Sequence, residues 1–412
     1  MKSFKTALVL ASGLLFSFSA LAGDIVVSKE ERESIMKSAR VWENPGDVSQ
    51  KNMRQGPGDK FELFQDVTCK FYDGLYTKLD GTGATPKFWC AEAGKDPVKE
   101  NVKIKYGNDN GEVYAEVVAS RLLWSLGFFA DKAYPISVNC ENCPDDPWTY
   151  LNRVASFKRI ENQNSESRDH LADYILRAQE RRTRLNDDSL RTTGRPYLRR
   201  YDMALSEGKY DGKAIAAEGD SKGGFGLDEL GKIQSSMGGS NQAEVDALKL
   251  LLAFIKHGDS KFDNHRLTCP NENIITKADG SKSCSQARLV LQDLGATFGN
   301  GSVKIIAIRF IMGSSKMDFN AWKNTPVWDD STACRARLKD SPRGTMTNPT
   351  VSEAGRKLLA DLMNQLTSQQ ITEMFWASRA DRREGGDKAT IAQWVELFKN
   401  KRAEISNAHC PK

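Results

Sequence analysis

The sequence predicts an α+β protein built in two parts, a small β-rich N-terminal part carrying one strong helix and a larger, mainly helical C-terminal part, held by disulfides. Three observations carry this expectation. Short, partly alternating runs occupy 86–93 and 102–106, as half-buried strands require. Amphipathic spacing dominates the last hundred residues. The eight cysteines form an even set.

The elements follow in order. Residues 1–22 read as a secretory signal peptide, with Lys2 and Lys5 as its basic region, an apolar Ala7 to Phe18, and Ala20-Leu21-Ala22 before Gly23. No later run is apolar enough to suggest a membrane span. Residues 23–65 are polar and read as an extension wrapping the core. The strand patterns then lead through the turn Asn108-Asp109-Asn110-Gly111 into a helix over Glu112 to Leu126, ended by Gly127. Tyr134 to Val138 reads as another strand. Residues 165–240 change character, Arg-rich and then Gly-rich, and read as an insertion or long connection without chemistry. Gln242 to His257 is a helix with Val245, Leu248, Leu252 and Ile255 on one face, and Leu289 to Leu291 is a short buried strand. Val351 to Gln365, Ser368 to Ser378 and Thr390 to Glu404 are amphipathic helices.

Composition is that of a globular chain of 412 residues. Losing Lys2 and Lys5 lowers the formal charge from +5 to +3, a balance that does not argue for nucleic acid. The basic residues concentrate over 177–200, either a solvated helix face or a dock for an anionic partner. In an oxidising compartment disulfides are the default. Cys269 and Cys284 flank a polar loop and are expected to pair. Cys140 and Cys143 leave a strand rather than open a helix, which favours a structural bridge over a redox or zinc role. Cys69 with Cys90 and Cys334 with Cys410 follow by elimination.

The chemistry concentrates in His257-Gly258-Asp259-Ser260-Lys261-Phe262-Asp263-Asn264 and in Asp293-Leu294-Gly295. Read as H-x-D-x-K-x-x-N and D-x-G, these supply what phosphoryl transfer from Mg-ATP needs. Asp259 can accept a hydroxyl proton, Lys261 can neutralise the moving phosphoryl group, and Asn264 and Asp293 can hold magnesium, a hard cation that takes oxygen ligands. A helix precedes the first motif and a strand precedes the second.

On these motifs the chain resembles the catalytic core of the protein-kinase-like superfamily, most nearly its atypical branch of secretory-pathway and small-molecule kinases. The likeness spans roughly residues 75–300. It implies a two-lobed fold, an N-lobe over 66–160 and a C-lobe over 161–412 containing the 165–240 insertion. It also implies a strand lysine paired with a helix glutamate, holding phosphates. Lys105 with Glu116 is the first choice; Lys103 and Glu112 stay open as alternatives. Gly81, Gly83 and Lys87, within Asp80 to Lys87, fit a phosphate-covering loop, although a plain hairpin turn fits as well. Asp259 and Asp293 lie farther apart than in kinases, and the loop bounded by Cys269 and Cys284 accounts for the excess. Leu294 replaces the usual Phe, and no A-P-E follows, which argues against a peptide bound as in ordinary protein kinases.

In this reading His257 is structural, hydrogen-bonding near Asp293-Leu294-Gly295. His170, His265 and His409 lack ligand spacing to it, and no G-x-S-x-G supports a hydrolase. The signal segment implies export, to the periplasm or beyond, and the resemblance implies an enzyme that uses ATP with Mg2+ (or Mn2+) on a hydroxyl of a protein, glycan or small molecule. The alternative is an inactive, pseudokinase-like binding or scaffold protein in the periplasm, where ATP is not expected.

Overall fold

Strict alternation of exposed and buried residues along Asp66–Phe71 (strand β2) marks a strand with one face on a core. The computed structural model describes residues 24–72, 85–96, 100–144, 147–148, 198–220, 223–301, 316–338, 344–384 and 387–411. The signal segment 1–22, Gly81, Gly83 and all of 177–200 except its last three residues lie outside them. The architecture is mixed α+β, with several sheets and helices.

Ahead of β2, the extension supplies strand β1 (Ile25–Val27) and helix α1 (Lys29–Lys37), capped by Ser28. After β2 come β3 (Lys87–Glu92), β4 (Asn101–Tyr106), helix α2 (Gly111–Ser125), β5 (Lys132–Glu141) and β6 (Leu198–Gly208). Strands β2, β3, β4, β6 and β5 close a barrel in that order, its one parallel contact being β5 on β2. Phe88, Ile104, Ile136 and Val138 fill its interior. Almost every residue of α2 is buried, so the helix runs through the molecule, and Gly127 follows it at φ +85°.

Strand β7 (Lys213–Ala217) joins a second sheet, in the order β1, β7, β8 (His265–Cys269), β11 (Arg288–Leu291). Between β8 and β11 lies the hairpin β9 (Ile274–Thr276) and β10 (Lys282–Cys284). Helix α3 (Gln242–Ile255) is buried on most of its surface. Beyond the sheet stand α4 (Phe319–Lys323), the small pair β12 (Trp328–Asp330) and β13 (Arg335–Ala336), and helices α5 (Glu353–Asn364), α6 (Ser368–Ala377) and α7 (Ile391–Ser406). Phe254, Trp322, Phe375, Trp394 and Phe398 interlock among these helices. No described helix is long and apolar enough to cross a membrane.

The cysteines pair as expected: Cys69–Cys90, Cys140–Cys143, Cys269–Cys284 and Cys334–Cys410. One expectation needs correction. The 165–240 region is not merely a connection, because β6 is integral to the barrel and β7 to the second sheet. A boundary at 160/161 would cut β6 from its partners. Only Ala204, Leu205 and Ser206 of β6 are fully buried, so its arginine-rich first half hides the strand pattern.

Candidate functional site

Alternation along β4 sends Lys103 and Lys105 to the face opposite Val102 and Ile104. Lys87 on β3 stands directly across from Lys105, and residues opposite one another share a face. Neighbouring β6 brings Glu207 to the same face. Helix α2 packs above it, and one turn separates Glu112 from Glu116, so both carboxylates point the same way. The result is a fully buried amine, Lys105, among four carboxylates. Its Nζ donates to Glu116 and, at 2.8 Å, to Asp293 Oδ1. Glu112 lies at 3.0 Å and Glu207 at 3.2 Å. Lys103 instead bonds both oxygens of Glu207, at 2.8 and 2.9 Å. Lys105 is therefore the lysine that meets Glu116 and Asp293, and Glu112 shares it.

Electrostatics distinguish the four acids. Burial opposes the charge on Lys105, but Asp293, Glu112, Glu116 and Glu207 outweigh it and hold the amine well above its ordinary value. Glu112 and Glu207 also face burial, yet each is brought down to about 2, by Lys105 with Lys316 and by Lys105 with Lys103 respectively. Glu116 is pushed up to about 8, first by burial, with the neighbouring acids adding to it against Lys105. Among the described residues Glu116 pairs with no lysine besides Lys105, whereas Glu112 also meets Lys316 and Glu207 also meets Lys103. Asp293 is held well below the usual carboxylate range by Lys105, Lys103 and Lys87 against its burial. Burial, followed by Lys103 and Lys105, lowers the Lys87 amine to about 8.

The first motif hangs from the end of α3. Lys256 ends that helix in the left-handed region, at φ +56°. Gly258 is packed so closely on Gly301 that a Cβ would overlap that residue's carbonyl. Its N–H donates to Ala296 O, 3.2 Å away, which joins the two motifs. Asp259 pairs with Lys261 at 2.9 Å, and Asn264 Nδ2 donates to Asp259 O at 2.6 Å. Gln292 N donates to Asn264 O at 2.8 Å, setting Asp293 one residue from that link. Asp293 itself sits at φ +49°, and the turn carries its carboxylate to Lys105. Gly295 has no Cβ because Glu112 occupies that space.

His257 does not hydrogen-bond near Asp293-Leu294-Gly295 through its ring, as the sequence reading expected. Both ring nitrogens are buried and have no hydrogen-bond partner among the described residues, and the ring meets His265 edge-on at 5.6 Å. The backbone of Gly258 makes the link instead. Burial lowers both histidines, His265 to about 3, which keeps the pair neutral.

Among the described residues, Glu112, Glu116 and Asp293 bring carboxylate oxygens within 4.8 Å of one another. Hard oxygen donors of this kind suit magnesium. Asp293 is common to this cluster and to the expected pair with Asn264, whose amide is anchored on Asp259. Sequence reasoning missed three participants. Glu207 lies in the stretch read as a connection. Lys316, which bonds Glu112, belongs to no motif, and Thr85, whose Oγ1 donates to Glu112 at 2.6 Å, lies within Asp80 to Lys87 but was not singled out there. Gly81 and Gly83 are outside the described residues. A small cavity beside the cluster is lined by Glu116, Ser120, Asp131, Glu207, Asp293 and Leu294. The chain matches no family model, no curated protein and no solved structure.

Proposed function

We propose that this protein transfers a phosphoryl group from Mg-ATP to a hydroxyl, on a two-lobed, protein-kinase-like fold, after export to the periplasm or beyond. One observation carries the reading: a single buried amine, Lys105, touches both Glu116 and Asp293. Phosphate binding needs a fixed cation there and metal binding needs Asp293 beside it. The Gly258 and Gln292 backbone bonds then tether Asp259 to the same place.

Lys105 and Lys87 would take the phosphates. Asp259 would accept the proton of the attacking hydroxyl as its oxygen bonds to phosphorus and the bond to the departing ADP breaks. Lys261, already paired to Asp259, would orient that carboxylate and meet charge on the moving group. Asn264 and Asp293 would hold magnesium, which neutralises phosphate charge when bound. Positioning and electrostatics supply most of the catalysis in such reactions. Four disulfides suit an oxidising compartment.

The test is thermal unfolding of the oxidised protein with and without Mg-ATP. A ligand at a hundred times its dissociation constant adds about 2.7 kcal/mol. A magnesium-dependent rise that Asp293→Ala abolishes is expected, and no rise at millimolar Mg-ATP would end the nucleotide reading. Asp259→Asn is expected to keep that rise and lose phosphoryl transfer. The second reading, a kinase-shaped binding protein, draws on the carboxylates that already engage Lys105. It requires binding without transfer, and a biological effect that survives Asp259→Asn.

A further inference from the structure

An ammonium group has three N–H donors, and four carboxylates close on that of Lys105. In this arrangement no donor is left for a phosphate. The four partners are not equivalent. Among the described residues Glu116 and Asp293 have no ion pair except the one with Lys105. Glu112 has a second cation in Lys316, and Glu207 has one in Lys103 at 2.8 Å. Thr85 adds a hydrogen bond to Glu112.

A buried carboxylate that loses its only cation is strongly destabilising. Glu112 and Glu207 escape this, because each can give up Lys105 and stay paired. Lys87 adds the complementary feature. It stands across from Lys105, is buried, and makes no ion pair among the described residues, its Nζ lying 5.6 Å from the Trp148 ring. An anion arriving on this face would find one unpaired amine and a second that two carboxylates can release.

We propose that Glu112 and Glu207 are positioning residues that compete with phosphate for Lys105, and that a polyphosphate chain displaces them onto Lys316 and Lys103. The inference rests on the phosphoryl-transfer reading and deepens it. A single phosphate brings too little charge to replace two carboxylates, so the site selects di- and triphosphates over monophosphates. Binding is weakened by the fraction of molecules in which Lys105 is free, and neutralising a competitor raises that fraction.

The experiment is calorimetric titration of the full oxidised chain with Mg-ATP and, separately, with inorganic tripolyphosphate. Unfolding midpoints without ligand establish that each variant is folded. Glu207→Gln and Glu112→Gln are expected to tighten both ligands on the order of tenfold, by removing one competitor from the closed state. Lys103→Met and Lys316→Met are expected to weaken both, because each strands its glutamate on Lys105. If Glu112→Gln does not fold, the opposite signs of Glu207→Gln and Lys103→Met decide. Weaker or unchanged binding in the folded Glu→Gln variants would overturn the proposal, since a purely structural glutamate predicts that result. Tripolyphosphate following the expected order while ATP binds to no variant would uphold the exchange and defeat the nucleotide reading. No binding of either ligand would defeat both.

Discussion

At the scale of single residues, the site is a contest between burial and pairing at Lys105. Replacing it by Met leaves Glu112, Glu116, Glu207 and Asp293 crowded without their shared cation. Removing one partner of a buried ionic group costs about 3–5 kcal/mol, so Lys105→Met is expected to lower stability by that amount in urea unfolding. Lys103→Met should cost clearly less, because Glu207 keeps Lys105. Equal losses would mean that the two lysines share the carboxylates evenly. The sequence named Asp293 from a buried strand followed by D-x-G, whereas Lys105 and Glu116 came only through the family resemblance, with Lys103 and Glu112 left open beside them. Glu207 was not legible, since nothing local distinguishes it from a surface glutamate. Only the alignment of β6 against β4 puts it beside Lys103.

Elements show the same division between local and distant causes. Helices α2, α3, α5, α6 and α7 were readable from periodicity and caps. Asn241 with Glu244, Thr367 with Gln370 and Thr390 with Gln393 all form capping boxes. Strand β6 was unreadable because its partners β4 and β5 lie far back in the chain and its first half is exposed or half-exposed. Helix α5 carries its own prediction. At its start Glu353 bonds Arg356 and accepts from Cys410 N at 2.9 Å, linking the helix to the Cys334–Cys410 bridge. The Arg356 hydrogen bond, with that of Cys410, lowers the Glu353 carboxyl from 4.5 to about 2. A carboxyl lowered by folding contributes stability above its unfolded value and loses it as pH falls through the folded one. The wild type is therefore expected to lose more stability than Glu353→Gln between pH 4.5 and 2, in chemical unfolding across that range. Parallel curves would show that the contact is screened, as its partial exposure allows.

For the whole molecule, the disulfides set how the chain is stitched. The expected pairings were legible from spacing and elimination, whereas the order of barrel strands was not, being fixed by contacts between distant segments. Cys334–Cys410 spans 76 residues and Cys140–Cys143 spans 3. Loop-closure entropy assigns them about 4.5 and about 1.6 kcal/mol respectively. Replacing the Cys334–Cys410 pair by serines should thus lower the unfolding midpoint well below that of the Cys140–Cys143 replacement, and the reverse order would place the stabilisation in native packing. A last consequence lies in the barrel. Glu141, the end of β5, pairs directly with Leu198, the start of β6. The chain leaves the sheet and returns to it at adjacent points, as in a hairpin, and closing a longer loop costs only slowly more. Strand order there is fixed by the pairing of Glu141 with Leu198 and not by the length of the connection between them.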